Sequence, residues 1–260
     1  MPESGARLDE AVRALRRGVE LGLTHIDTAE MYGSGRVEEI VGEAVAGIPR
    51  NDLFITTKVL PGNASYKGTI SACERSLRRL RMQYVDLYLL HWPSSFPLEE
   101  TMRTLETLVE SGKARFIGVS NFDLEDLREA QSHLRHVPLA SNQVLYHLKE
   151  RAAEVRLIPY CGRHDIAAVA YTPFGRGRFP RKEAEPQGIL GRIAAKHGKT
   201  VRQIILNFLV REPHVFAIPK AARMEHVEEN AGAMGWALDS EDIAAIDAAF
   251  PVHDGPLATL

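Results

Sequence analysis

Hydrophobic residues along this chain follow two alternating rhythms. Short continuous apolar runs suit strands buried on both faces, and between them hydrophobic side chains recur every three or four residues, the spacing of a helix with one buried stripe. The strand-like runs fall at about 24–27, 53–58, 85–91, 116–119, 139–143, 166–171 and 215–218. Helical spacing covers 8–22, through Leu8, Ala11, Val12, Leu15 and Val19, and then 37–45, 66–81, 98–108, 124–130, 151–163, 187–197, 200–211, 223–234 and 239–249. Gly22 and Gly112 read as helix stops, and Asp123 as the cap of the helix after it. The longest irregular stretch, Pro173 to Pro186, is rich in Gly, Pro and Arg. A loop of that length in a compact domain is usually functional or mobile.

Strand and helix alternating in this way predict an α/β fold with a parallel sheet covered by helices. The period of roughly 30 residues is that of the βα unit, so the expected architecture is a (β/α)8 barrel forming one domain over residues 1–260. Seven strand-like runs are recognisable, where a closed barrel of this kind needs eight.

Three of the runs end in ionisable residues: Asp27, Lys58 and His91. From Asp27 to Lys58 is 31 residues, and from Lys58 to His91 is 33. A strand, a crossover helix and the next parallel strand need roughly 30 residues, so these side chains are expected side by side at the strand ends. In parallel barrels that is where chemistry is placed. Taken singly, each residue has a plainer reading: Asp27 as a turn or cap residue, Lys58 as a solvated charge, His91 as a structural histidine. Their common register, with Tyr32 close after Asp27, favours chemistry.

A net charge of −2 gives no broad electrostatic footprint for nucleic acid or an anionic membrane. No apolar run has the length of a signal-peptide core or a membrane span, which points to a cytoplasmic protein. Cys73 and Cys161 lie among apolar neighbours in helix-like segments, as reduced core thiols would. The histidines other than His91 form no ligand cluster, so no metal is expected.

The motifs HIDTAEMYG at 25–33, LLHWP at 89–93, GVSNF at 118–122, NQV at 142–144, AYTPFG at 170–175 and IPK at 218–220, followed by Glu229-Asn230, resemble the aldo-keto reductase family in this order and spacing. The nearest likeness is to its bacterial methylglyoxal and diketogluconate reductases. The resemblance covers the chain from the family's second barrel strand to its end. It implies hydride transfer from NADPH, with NADH as an alternative donor, to a small aldehyde or ketoaldehyde. Tyr32 would be the proton donor, Lys58 and Asp27 would make its hydroxyl more acidic than a free tyrosine with a pKa of about 10, His91 would orient the carbonyl, and Trp92 would line the substrate pocket. Ser120, Asn121 and Gln143 match positions that bond the nicotinamide carboxamide, and Tyr171 matches the aromatic stacked on the ring. Thr172, Pro173, Phe174 and Gly175 match the pyrophosphate strap, where Arg176 is placed to add charge. Ile218 and Lys220 match the 2′-phosphate region, and Glu229 and Asn230 the adenine contacts. No GxGxxG fingerprint follows a strand, which speaks against a Rossmann-type site.

The sequence departs from the family in two places. Ala221 and His226 stand where relatives commonly carry serine and arginine, weakening the expected preference for NADPH over NADH. Before Leu8 there is room for neither the family's N-terminal hairpin nor its first barrel strand. A monomer is expected, with an unpaired sheet edge as the place for any self-association. Two other readings use the same residues: a cofactor-binding regulatory protein like the potassium-channel β subunits, and a lyase forming a Schiff base on Lys58.

Overall fold

Among the described residues seven short strands carry the fold: β1 (His25–Asp27), β2 (Phe54–Val59), β3 (Val85–Leu90), β4 (Ala114–Ser120), β5 (Leu139–Leu145), β6 (Ala167–Tyr171) and β7 (Val215–Ile218). They follow one another in sequential order in one sheet, and every strand pair with a described register is parallel. The computed structural model describes residues 5–177 and 188–259. Residues 178–186 of the irregular stretch, and the first residue of the helix expected at 187–197, lie outside the described residues.

The helices are α1 (Gly5–Glu20), α2 (Arg36–Ala44), α3 (Tyr66–Leu80), α4 (Leu98–Glu110), α5 (Leu124–Ser132), α6 (Leu157–Arg163), α7 (Ile189–His197), α8 (Val201–Leu209), α9 (Met224–Ala231) and α10 (Ser240–Ala249). Each lies on a segment of helical hydrophobic spacing. The helix expected over 151–163 is the exception, because only its second half is α-helical and a short 3-10 turn covers Ala152–Glu154. Pro159 explains the break. It has no N–H and is tolerated only in a first helical turn, so the helix begins at Leu157.

The chain divides into two compact units: residues up to Asn142 with Ala222–Met224, and Gln143–Ala221 with Glu225–Leu260. In the first, Ile26, Ile55, Leu87, Leu89, Ile117 and Val119 are buried on the strands. Each such side chain stabilises by about 1.5–3 kcal/mol. Buried carboxylates brace the strands from outside: Glu38 on α2 accepts from Thr57 Oγ1 at 2.6 Å and Arg79 Nε at 2.6 Å. Asp86 on β3 accepts from the Ile55 amide at 2.8 Å and from Arg50 and Arg115. Asp123 caps α5 as its sequence position suggests, accepting from the amides of Glu125 and Asp126.

In the second unit, α8 opens with a Thr200–Gln203 capping box and buries Ile204, Ile205 and Phe208. Arg151 anchors the end of α10, donating to the Phe250 carbonyl at 2.5 Å and to Asp247 at 2.6 Å. Both cysteines are free and buried. Among the described residues no helix is long and apolar enough to cross a membrane.

Candidate active site

The strand register brings the expected side chains together in the first unit. β1 pairs with β2 so that Asp27 lies beside Thr56, and β2 pairs with β3 so that Lys58 lies beside Leu89. Side chains alternate along a strand, so Asp27 is two residues beyond His25, Lys58 two beyond Thr56, and His91 two beyond Leu89, each pair sharing a face. The layer beneath is closed by a contact of 2.9 Å between His25 Nε2 and Thr56 Oγ1.

Lys58 is fully buried, and its ammonium donates to Asp27 Oδ1 at 2.5 Å and to the Thr28 carbonyl at 2.9 Å. Burial lowers the pKa of Lys58, and the facing Asp27 carboxylate works against that shift. The same ammonium lies 5.3 Å from the centroid of the Tyr32 ring. Tyr32 meets His91 edge to face, with centroids 5.8 Å apart, and His91 touches Trp92, whose indole is half-exposed. Tyr32 leads into a turn in which Gly33, Ser34 and Gly35 all have positive φ. Glycine tolerates this conformation at two of the three positions and turns the chain sharply into α2.

The His91 backbone is pinned on both sides: its N–H donates to the Val59 carbonyl at 3.0 Å, and its carbonyl accepts from Asn121 Nδ2 at 3.0 Å. Burial and the nearby Lys58 charge push its imidazole pKa down to about 4, so the ring is neutral at pH 7. Its Nδ1 is buried without a hydrogen-bond partner. A buried N–H without an acceptor costs more than a bare lone pair, which assigns the proton to Nε2.

Ser120, at the end of β4, is buried, and Asn121 follows with a left-handed φ of 61° and a second Nδ2 bond to Ser120 Oγ at 3.1 Å. The remaining residues singled out in the sequence belong to the second unit. Gln143 and Phe174 are buried, as is Pro173, and Tyr171 ends β6. Thr172 has φ 57°, a strained value for a β-branched residue, and Gly175 and Arg176 are also left-handed. Ile218 ends β7, Lys220 is exposed, and His226 on α9 faces Glu229 at 3.8 Å while Asn230 is buried.

Glu30, which the sequence reading passed over, is buried beside this site. Its signal was an acid inside the motif HIDTAEMYG. The one grouping with metal-ligand spacing among the described residues is His197, Asp239 and Asp242. There the Lys196 ammonium bridges the two carboxylates at 2.7 and 2.9 Å.

Comparison with known proteins bears on this geometry directly. The model of the Aldo/keto reductase family matches residues 4–250. The chain is 42% identical over 258 residues to methylglyoxal reductase YeaE of Escherichia coli K12, covering 99% of this chain and 90% of that protein. It is 37% identical over 242 residues to glyoxal reductase of Bacillus subtilis 168, covering 92% and 83% respectively. A crystal structure of an aldo/keto reductase from Klebsiella pneumoniae in complex with NADP and acetate superposes with a TM-score of 0.91 at 41% identity, covering 100% of this chain and 92% of that one. The chain belongs to the aldo/keto reductase family and has its (β/α)8 fold.

Proposed function

We propose that this chain reduces small aldehydes and α-ketoaldehydes to alcohols, with NADPH as hydride donor and Tyr32 as proton donor. The observation that carries this reading is the Asp27–Lys58 pair, fixed at 2.5 Å, with its ammonium 5.3 Å from the ring centre of a tyrosine that also meets a neutral histidine. NADPH, when bound, supplies the hydride. The residue types suit it: a hydroxyl at Ser120 and a carboxamide at Asn121 match the polarity of a nicotinamide carboxamide, and the exposed Lys220 suits a phosphate.

The chain's own residues handle the proton. Tyr32 protonates the carbonyl oxygen, and the Lys58 ammonium, oriented by Asp27, stabilises the phenolate that remains. His91 donates from Nε2 to the same oxygen and fixes its position. Trp92, 37% exposed and in ring contact with His91, offers an apolar wall beside the reacting group. Lys58 is fully buried and already committed to two acceptors, which argues against a Schiff base. Ala221 and His226 provide neither a hydroxyl nor a guanidinium for the 2′-phosphate, so the advantage of NADPH over NADH is modest. We place the protein in the cytoplasm as a monomer acting on a small-molecule carbonyl.

Loss of nicotinamide absorbance with methylglyoxal, in wild type and Tyr32→Phe, tests the reading. Turnover that collapses in the variant supports it, and turnover equal to wild type overturns the assignment of Tyr32.

A further inference from the structure

Two loops must hold still for the proposed proton transfer: the segment after β1 that carries Tyr32, and the segment after Lys58. One buried carboxylate joins them. Glu30 is two residues before Tyr32, and its Oε1 accepts from the Leu60 amide at 2.8 Å and from Asn63 Nδ2 at 2.9 Å. Its Oε2 faces Arg75 Nη2 of α3 at 3.5 Å. The Glu30 backbone N–H donates to the Lys58 carbonyl at 3.3 Å, so main chain and side chain together hold the chain on both sides of Val59, directly after Lys58. Tyr32 is tied into the same turn by its N–H bond to the Ala29 carbonyl at 3.0 Å.

A structural carboxylate on a surface loop would be solvated and its loss cheap. Glu30 is 8% exposed, and it satisfies an amide and a carboxamide that would otherwise be left without acceptors. Its removal releases the 60–63 turn, and with it the support behind Lys58, while leaving every group that would touch substrate chemically unaltered.

We propose that Glu30 is a positioning residue, whose carboxylate sets the separation of the Lys58 ammonium and the Tyr32 ring by clamping the loop after β2 to the loop after β1. This rests on the reading of Tyr32 as proton donor. The clamp works through its oxygen acceptors, so Glu30→Gln, which keeps one, retains function, whereas Glu30→Ala does not.

Steady-state kinetics of Glu30→Ala, Glu30→Gln, Asn63→Ala, Tyr32→Phe and Tyr32→Phe/Glu30→Ala test it, with thermal melts alongside. Glu30→Ala is expected to lower kcat about tenfold with both KM values within about twofold, because misplacing a reacting group slows the chemical step more than it weakens binding. Asn63→Ala is expected to lower kcat about threefold, and Glu30→Gln to stay within about twofold of wild type. In the Tyr32→Phe background the Glu30 substitution should cost nothing further, since there is no phenolic proton left to position. Equal proportional losses in both backgrounds overturn the proposal, as does a Glu30→Gln defect matching that of alanine. Should Glu30→Ala not fold, a wild-type kcat in Asn63→Ala overturns it alone. If Tyr32→Phe itself turns over normally, the proton-donor reading has failed, which is a separate result.

Discussion

Each compact unit sets a tyrosine beside a cation and a carboxylate, and the two trios are bonded in opposite ways. In the first, the carboxylate of Asp27 accepts from the Lys58 ammonium, and Tyr32 is partly open to solvent. In the second, the buried Tyr146 donates directly to Glu154 Oε1 at 2.6 Å and accepts from Arg211 Nη1 at 3.0 Å. Burial, with the Glu154 carboxylate accepting its O–H, pushes the pKa of Tyr146 well up despite the nearby guanidinium. A neighbouring cation is therefore not enough to make a tyrosine an acid. Where the carboxylate binds, and whether the ring is sealed from water, separates the proposed proton donor from a structural bolt.

Tyr32→Phe and Tyr146→Phe separate the two trios most sharply. The first is expected to lower kcat by about 10²–10⁴-fold with little change in melting. The second should leave kcat within about twofold and cost about 1–3 kcal/mol of stability, because Glu154 and Arg211 each lose a partner. A large loss of turnover in Tyr146→Phe would break the contrast.

Lys58→Met and Arg211→Met come next. The lysine variant strands a buried Asp27 and is expected to cost about 3–5 kcal/mol. The arginine variant should cost less, about 1–2 kcal/mol, because Glu154 keeps Arg151 at 2.7 Å. Denaturant midpoints measure both.

Acid sharpens the contrast further. The His91 pKa of about 4 lies below the unfolded value of 6.5, so between these values the unfolded chain binds more protons. The stability linked to neutral His91 is thus complete above about pH 6.5 and is lost as pH falls toward about 4. His25, also shifted down by burial, acts in the same direction. His91→Gln should flatten the fall in melting temperature between these pH values, and an unchanged slope would refute it.

The smallest effect concerns backbone strain. Asp165, exposed and left-handed with φ 56° after α6, should gain about 0.5–1 kcal/mol as Asp165→Gly. Asn121→Gly relieves the same strain, yet should lower turnover because its amide holds the His91 carbonyl. Paired melts and rates read both.

The order of strands and helices was legible because parallel strands covered on both faces must be continuously apolar. The strand-end trio was legible because βα units repeat at nearly constant length. The braces were not. Glu30, Glu38 and Asp86 look like any solvated acid in sequence, and their partners lie 19 to 45 residues away. The division into two units left no trace either, since composition does not shift at Asn142. The break before α6 could have been read from Pro159.

The free cysteines carry a last consequence. Burial pushes both Cys73 and Cys161 thiols up to about 12. At pH 7 about one part in 100,000 of either is the nucleophilic thiolate. A carbonyl electrophile that meets the protein therefore finds almost no reactive sulfur to add to, and the exposed lysines and arginines are the more available nucleophiles.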